Sequence, residues 1–274
     1  MENFLLPSKV EFAPLKEANT ASVIITPCYH GYGTTLGNAL RRVLLSSLPG
    51  AAVESFKVKG VNHEFSTVEG VKEDVVEMML NLKQLVVKVH SDDPVVLTLT
   101  KKGPGPVTAG DITPNSTVDV INTDLVIANL TSNKTLDMEI TVSRGRGYKP
   151  AEEKDRQSQD LGTIVIDSVY TPVRDVGYVV DFTRVGDITN YEKLTLNIET
   201  NGTITPEEAM QQATKILMDH FTIISGAVAN GGTGKEEAPA VEEVAPVEAV
   251  EEAEVVEEEV AAPKKAKRAK KKAE

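Results

Sequence analysis

Residues 31–50 read GYGTTLGNALRRVLLSSLPG, and this stretch decides the fold because it predicts one long helix between a glycine-rich opening and a Pro-Gly end. Its apolar residues recur every three or four positions, which is the spacing of one helix face. They are Leu36, Ala39, Leu40, Val43, Leu44 and Leu48. Asn38, Arg42 and Leu45 fall on the opposite side, with Arg41 on the flank. The pattern predicts a helix buried along one face, with an exposed leucine and two arginines forming a second contact surface.

A second strong helix is predicted to begin after Thr205. Thr205 can cap it, Pro206 suits the first helical position, and Glu208 completes a capping box. The seam that follows repeats at alternating spacings of three and four residues and consists of Met210, Ala213, Leu217, His220 and Ile224. Such a seam usually meets another helix.

Most of the remaining chain predicts strands. Residues 9–12 and 20–26 favour two strands, and residues 53–58 alternate apolar and polar types as a half-buried strand does. A shorter helix is predicted over residues 71–85, with Ser66 and Glu69 as its cap. Short strands separated by Pro, Gly and Asp then follow as far as residue 142.

These elements predict an α+β fold built around a discontinuous domain. Residues 1–50 and 177–226 would form that domain, with two main helices on an antiparallel sheet. Residues 51–176 would form a β-rich domain inserted into it. Residues 227–274 are predicted to be a disordered acidic-then-basic tail.

Charge and composition narrow the class of protein. The net charge of −12 over 274 residues argues against a protein that coats nucleic acid by itself. Residues 235–262 contain eleven Glu and one Lys, whereas residues 263–274 contain seven Lys or Arg and one Glu. Cys28 is the one cysteine, and neither a signal peptide nor an apolar run near the ~20 residues that span a bilayer occurs. We therefore predict a cytoplasmic protein without membrane contact.

No catalytic constellation emerges. Gly31, Gly33 and Gly37 superficially match a dinucleotide-binding turn, but that turn needs a parallel βαβ unit, and the neighbouring strands are predicted to be antiparallel. A tight turn and close helix packing explain the glycines better. The four histidines are His30, His63, His90 and His220. Neither their spacing from one another nor their spacing from the cysteine is that of metal ligands. We predict no catalytic residue, no metal site and no cofactor on this chain.

Several motifs, taken together and in order, resemble the alpha-subunit family of bacterial RNA polymerase. The first is TLGNALRRVLLSS at residues 35–47, followed by the Pro-Gly pair. The others are GVNHEFSTVEGVKED (60–74), LNLK (80–83), GPVTA (105–109), RGRGYKP (144–150) and ETNGTITPEEA (199–209). The resemblance extends from the N-terminus to about residue 225. An ordered series of this length is far more specific than any single short motif.

The resemblance implies a homodimer formed through residues 33–48 and 205–225, which holds the beta subunit on one copy and beta-prime on the other. The residues it implies for dimerisation are Leu36, Leu40, Val43, Leu44, Met210, Ala213, Leu217 and Phe221. Those implied for beta docking are Asn38, Arg41, Arg42, Arg144 and Arg146. Those implied for beta-prime docking are Val173, Arg174, Tyr178 and Asp187.

It also implies a non-catalytic subunit of an enzyme, the nucleotidyltransferase DNA-directed RNA polymerase, whose contact with DNA is indirect. Members of the family typically continue into a C-terminal domain that binds promoter DNA and activators, and we expect this chain to lack it.

Alternatives stay open. A nucleotide-dependent enzyme built on the Gly31 turn is one, and a homodimeric α+β protein with other partners is another. Arg144 and Arg146 could instead be solvated or bind phosphate. Residues 264–272 could contact nucleic-acid phosphates non-specifically or pair with the preceding acidic segment.

Overall fold

The computed structural model describes residues 6–15, 18–154, 160–186 and 188–229. The α-helices in these ranges are α1 (Tyr32–Ser46), α2 (Val75–Leu82) and α3 (Pro206–Ala229). The strands are β1 (Lys9–Pro14), β2 (Thr20–Cys28), β3 (Pro49–Val58), β4 (Val87–Val89), β5 (Val95–Lys102), β6 (Gly105–Thr108), β7 (Val118–Val120), β8 (Val126–Leu130), β9 (Thr135–Arg146), β10 (Tyr148–Lys149), β11 (Thr163–Val165), β12 (Ser168–Val169), β13 (Val173–Val185) and β14 (Ile188–Thr200). All pairings between these strands are antiparallel. The predicted α+β class, with more sheet than helix, is confirmed.

One four-stranded sheet has the order β1-β2-β14-β13 and joins the beginning of the chain to residues 173–200. Both α1 and α3 pack against it and against each other. The core between helices and sheet, which we name the first core, consists of Val23, Ile25, Cys28, Leu40, Leu44, Leu48, Val173, Val176, Leu194, Leu196, Ile198, Ala209, Met210 and Ala213. Val173 and Val176 fall within the predicted inserted domain, residues 51–176, but they pack in the first core. The reason is that β13 begins at Val173 and pairs with β14.

The helix α1 lies close to this sheet because glycine occupies the positions that face it. A methyl group added at Gly37 would lie 2.7 Å from Cδ2 of Tyr178 on β13. One added at Gly33 would lie 2.8 Å from Cγ1 of Val180 on the same strand. Side chains at these positions would push the helix away, so the predicted role of the glycines in close packing is confirmed.

A second core is built from the chain between β3 and residue 166. The sheet β11-β3-β9-β5 forms its largest layer, with the pairs β4-β7 and β6-β8 beside it. Phe56 on β3, Leu99 on β5 and Ile140 on β9 are almost completely buried in it. From α2, Val75, Met78 and Leu82 complete it.

The helix α2 is shorter than predicted and starts later. It begins at Val75, where the Asp74 carboxylate caps it by accepting a 2.7 Å hydrogen bond from the Glu77 amide. The predicted cap at Ser66 and Glu69 is therefore wrong. A capping side chain must lie next to the first turn, and the Ser66 hydroxyl instead lies 3.0 Å from Nδ1 of His63.

Two other expectations are corrected at the ends of elements. Leu45 is not exposed but half-buried against the first core, because the buried face of α1 is wider than a single stripe. The strands that we expected as far as residue 142 extend further, since β9 continues to Arg146. The last residues of β9 pair with Pro49–Ala51, so the Pro-Gly pair that we expected to close the first helix belongs to β3.

The helix α3 starts where the sequence predicts. The Thr205 amide donates to the Glu208 carboxylate at 3.1 Å, and the Glu208 amide donates to the Thr205 hydroxyl at 3.2 Å, which confirms the capping box. The helix extends to Ala229, beyond residue 225, the last residue of the predicted helix. Across the described ranges, no helix has both the length and the apolar composition needed to cross a bilayer.

A buried lysine fixes the segment that follows β10. The Lys154 ammonium donates to the carbonyl oxygens of Glu54 at 3.2 Å and Ile166 at 2.5 Å, and to the Ser168 hydroxyl at 2.5 Å. Desolvation by burial lowers the pKa of Lys154, and the nearby Glu54 carboxylate opposes this shift only in part.

We predict that Gly37→Ala destabilises the protein by about 1–3 kcal/mol, because the added methyl overpacks the contact with Tyr178 and Leu194. Asn38→Ala is the matched control: it places alanine at the next, exposed position of α1 and should be neutral or slightly stabilising. Urea unfolding at one fixed protein concentration measures both. An unchanged free energy of unfolding for Gly37→Ala would contradict the close-packing argument.

A second prediction concerns Lys154 and pH. In the unfolded chain this lysine has a pKa of about 10.4, and in the folded chain burial lowers the pKa. Between the two pKa values the unfolded state binds more protons, so the free energy of unfolding should increase as the pH rises through that window.

The quantity to measure is the difference in free energy of unfolding between the wild type and Lys154→Met, from neutral pH upward. Subtracting the variant removes the contribution of the other titrating groups. Lys102→Met, which removes an exposed lysine from β5, serves as the control. A difference that stays constant or falls as the pH rises would contradict the buried-ammonium assignment.

Candidate functional site

A carboxylate from β14 holds the N-terminus of α1. The Gly31 amide donates to Oε1 of Glu192 at 2.7 Å, and the Gly33 amide donates to Oε2 at 2.9 Å. Gly31 has a φ of 84°, a left-handed conformation that turns the chain from β2 into the helix. Glu192 is buried, and Nδ1 of His30 lies 3.3 Å from Oε1 at the surface. The two amides and the positive end of the helix dipole stabilise the buried carboxylate.

This arrangement does not match a dinucleotide-binding unit. The strands on either side of α1 belong to different sheets, since β2 pairs with β1 and β14 whereas β3 pairs with β9 and β11. The amides of Gly31 and Gly33, which a phosphate would need, already bind Glu192.

The outer side of α1 presents Asn38, Arg41 and Arg42, all exposed. The sequence of α1 contains no acidic residue, so the helix carries two positive charges on a protein of net charge −12. In the described part of the chain, neither arginine forms a salt bridge. Their guanidinium groups remain available for planar contacts with carboxylates or carbonyl oxygens of another molecule.

Pairing between β3 and β9 brings the other two predicted arginines to the segment that follows α1. Arg146 pairs with Pro49, and Arg144 pairs with Ala51. Both arginines are exposed, and Nη1 of Arg144 lies 2.7 Å from Oδ1 of the exposed Asp92. A solvent-facing pair of this kind contributes little stability and leaves the guanidinium accessible.

The glycines of the same motif form a seat for Tyr170. Gly50 and Gly145 are cross-strand partners, and a methyl group at Gly145 would lie 2.8 Å from Cγ of the Tyr170 ring. A methyl group at Gly50 would collide with the Tyr170 carbonyl oxygen. The Tyr170 hydroxyl donates to Glu54 at 2.8 Å and lies 3.3 Å from the Ser143 hydroxyl. Burial raises the pKa of Tyr170, so this phenol stays a hydrogen-bond donor.

Because side chains alternate along a strand, the two roles of RGRG separate by face. Gly145 faces Tyr170, and Arg144 and Arg146 face outward. Packing against Tyr170 therefore explains the glycine between the two arginines. It does not explain the arginines, which point away from this contact.

The residues implied for dimerisation occupy three environments. Four are buried in the first core of their own chain: Leu40, Leu44, Met210 and Ala213. Three are half-buried at its margin: Leu36, Val43 and Leu217. Phe221 exposes 63% of its surface. The buried four hold α1 and α3 in place, and the others could contact a second chain directly.

The residues implied for beta-prime docking are also divided. Val173 is buried in the first core, and Tyr178 is half-buried against Gly37. Arg174 is exposed, with its Nη1 3.9 Å from the Glu199 carboxylate. Asp187 lies outside the described residues. Of this set, Arg174 is the described residue whose side chain is most accessible.

Sequence reasoning missed the apolar side chains on the hairpin of β13 and β14. Val179 and Phe182 on β13 and Ile188 on β14 expose between 52% and 74% of their surface. The signal in the sequence was that apolar residues occupy both faces of β13, since Val179 and Phe182 are three positions apart and point to opposite sides of the strand. It also missed Glu192, an acidic residue just before the buried run Leu194, Leu196 and Ile198.

The histidines are scattered, as the sequence indicates. Nε2 of His90 lies 2.9 Å from Oδ2 of Asp119, and Nδ1 of His220 lies 2.7 Å from the Ile216 carbonyl oxygen. Among the residues that the structure describes, no group of three or more His, Cys, Asp or Glu is placed to hold a metal ion.

Comparisons with known proteins identify a domain family within the chain and relatives over most of its length. Residues 55–171 match the family model described as the RNA polymerase Rpb3/RpoA insert domain. The chain is 51% identical over 219 residues to the DNA-directed RNA polymerase subunit alpha of Desulforamulus reducens, covering 80% of this chain and 70% of the relative.

The same name belongs to two further relatives. One, from Symbiobacterium thermophilum, is 51% identical over 216 residues, covering 78% of this chain and 69% of the relative. The other, from Oceanobacillus iheyensis, is 49% identical over 219 residues, with coverages of 80% and 70%. The predicted resemblance is confirmed, and the chain belongs to the family of DNA-directed RNA polymerase alpha subunits.

Proposed function

We propose that this chain is the assembly scaffold of a DNA-directed RNA polymerase. In this proposal it forms a homodimer that holds the beta subunit on one copy and beta-prime on the other, in the cytoplasm. The chain carries no catalytic residue and no cofactor of its own, and its contact with DNA is indirect. Residues 1–50 and 177–226 act as a discontinuous dimerisation domain around the inserted β-rich domain.

The observation that carries the proposal is the bare apolar face on the second half of α3. Phe221, Ile224 and Val228 expose between 58% and 76% of their surface. At 3.6 residues per turn they continue the face on which Met210 and Ala213 are buried. The helix thus extends beyond the core of its own chain with the same apolar face, which supports contact with another apolar surface.

The beta subunit would bind the outer side of α1. Asn38, Arg41 and Arg42 are exposed there, and the helix carrying them is fixed by Gly37 and Glu192. A helix backbone that is already fixed favours a specific docking site, because only the side chains must be ordered on binding.

A two-fold dimer presents each surface twice, so two different partners must use different parts of it. The exposed residues of α1 and the arginines of β9 would supply the surface for the beta subunit. The β13–β14 hairpin carries Arg174 and the exposed Val179 and Phe182, and supplies a separate surface for beta-prime.

We predict that Ile224→Asp converts the dimer to a monomer, because it places a charge in the apolar contact. Thr222→Asp is the matched control: it introduces the same residue two positions away, on the opposite face of the helix. Light scattering coupled to size-exclusion chromatography reads the mass of each. A wild-type chain that is already monomeric, or an Ile224→Asp chain that stays dimeric, would count against the α3 contact.

A further prediction concerns Arg42. Arg42→Ala should leave the dimer intact and weaken binding of the purified beta subunit by about tenfold or more, the size expected of a central arginine contact. Lys102→Ala removes an exposed positive charge from β5 and should bind beta normally. Binding isotherms at one salt concentration compare the three chains, and an unchanged affinity for Arg42→Ala would remove this arginine from the docking site.

A further inference from the structure

Positive charges continue from the end of α1 to the segment around β10. The Ser46 hydroxyl donates to the Arg42 carbonyl oxygen at 2.8 Å. A methyl group at Gly147 would lie 3.3 Å from the Ser46 carbonyl oxygen, so the end of α1 contacts the turn between β9 and β10. This contact places Arg42 near Arg146, the last residue of β9, and Lys149 follows on β10.

An apolar pair lies beside these charges. Tyr148 and Val169 are cross-strand partners on β10 and β12, so their side chains point to the same side. They expose 60% and 54% of their surface. The Tyr170 amide donates to the Gly147 carbonyl oxygen at 2.8 Å, which keeps the pair next to the end of α1. The set that we name the basic surface consists of Arg42, Arg146, Lys149, Tyr148 and Val169.

The cations of the basic surface lack an anionic partner within the described part of the chain. Arg42, Arg146 and Lys149 are exposed, and no salt bridge there includes any of them. Like charges held close together repel one another, and a bound anion removes that repulsion. The surface therefore favours a partner that combines negative charge with aliphatic groups.

Residues 236–260 of this chain have that chemistry. They contain eleven Glu and seven Val, and they contain no Lys or Arg. The valines are interleaved with the glutamates, so a short stretch offers carboxylates to the arginines and aliphatic groups to Tyr148 and Val169. Nucleic-acid phosphates would match the charges and leave the apolar pair uncovered.

We infer that residues 236–260 dock on the basic surface. Arg42 and Arg146 belong to the proposed docking site for the beta subunit, so the docked segment competes with beta. The competition rests on the proposed function, whereas the docking itself does not.

The chain is long enough to make this contact within one copy. The helix α3 packs against α1 and has 24 residues, which is about 36 Å. The helix α1 has 15 residues, which is about 22 Å. About 30 residues separate Ala229 from residue 260, and a chain of that length spans up to ~100 Å. The segment can therefore return from the far end of α3 to either end of α1.

The basic end of the chain is too small to neutralise this segment. Residues 235–262 carry a net charge of −10 and residues 263–274 carry +6, so four negative charges are left over even after complete pairing. The remaining carboxylates stay available for other cations, and the basic surface supplies them.

Zero-length cross-linking tests the docking. A carbodiimide joins a carboxylate to a lysine amine in direct contact with it, and Lys149 supplies that amine on the basic surface. Lys102 is the matched control: it is exposed and pairs with Thr135, at the other end of β9 and about 37 Å from Arg146. In the full-length chain at low salt, we expect links from the glutamates of residues 236–260 to Lys149 at about fivefold or more above those to Lys102, counted by mass spectrometry.

Two outcomes would overturn the docking. One is equal linking to Lys149 and Lys102, and the other is linking of residues 236–260 only to the lysines of residues 264–272. A chain carrying both Arg42→Gln and Arg146→Gln should lose the Lys149 links about threefold or more, since it keeps the lysine and removes two of the cations that attract the segment. An unchanged yield in that variant would also refute the contact.

Binding of the purified beta subunit tests the competition. Replacing the eleven glutamates of residues 236–260 by Gln should tighten binding about threefold at low salt, the gain expected if the segment covers the surface for two thirds of the time. The gain should disappear at high salt, because the attraction is electrostatic. The control replaces the seven Lys and Arg of residues 264–272 by Gln and should not tighten binding.

The two experiments separate this inference from the proposed function. An unchanged affinity of the glutamine variant for beta, with the Lys149 links present, overturns the competition and leaves the docking standing. If Arg42→Ala binds beta normally, the proposed docking site for beta fails, and the cross-links to Lys149 still decide whether residues 236–260 dock.

Discussion

The bond between Glu192 and the first turn of α1 organises the molecule. The first amides of any helix lack partners within the helix, and burying them without partners would cost free energy. Here Gly31 and Gly33 give their amides to a carboxylate that lies about 160 residues further along the chain. The bond joins the two ends of the first core, and it fixes which side of α1 meets the sheet and which side carries Arg41 and Arg42.

The position of α1 also links the two cores. Its C-terminal end is followed within three residues by β3, the strand that runs through the second core. A displacement of α1 would therefore be felt both at the outer arginines and at the pairing of Pro49–Ala51 with β9. The backbone that runs from α1 into β3 therefore positions all the residues that we propose to contact the beta subunit. It carries those on α1 directly and holds those on β9 through strand pairing.

Local patterns predicted a large part of this structure. The apolar face of α1, the capping box of α3 and the packing role of Gly37 follow from residues close together in sequence, and all three are confirmed. The start of α2 was misplaced because two acceptable capping patterns, at Ser66 and Asp74, stand eight residues apart and only tertiary packing selects one. The half-burial of Leu45 likewise depends on how far the neighbouring elements cover α1, which the local sequence does not show.

The sequence did not predict the polar contacts between residues that are far apart in the chain. Nothing local shows that Glu192 binds a helix terminus or that the Lys154 ammonium is shared by three acceptors from two segments. For the candidate site, motif resemblance identified Arg41, Arg42, Arg144 and Arg146, and the structure adds that all four are exposed. The exposed apolar residues of β1 and the β13–β14 hairpin were missed because burial on a single strand depends on what covers it.

The seat of Tyr170 restricts how this protein can evolve. An alanine at Gly50 or Gly145 would need a smaller side chain or a shifted backbone at position 170, and a smaller residue at 170 would empty the space above two glycines and free the Glu54 carboxylate. Each single change is costly, and only combined changes preserve the packing. Positions 50, 145 and 170, which span 120 residues, must therefore change together or not at all. A substitution at one of them is selected against as long as the other two keep their residues.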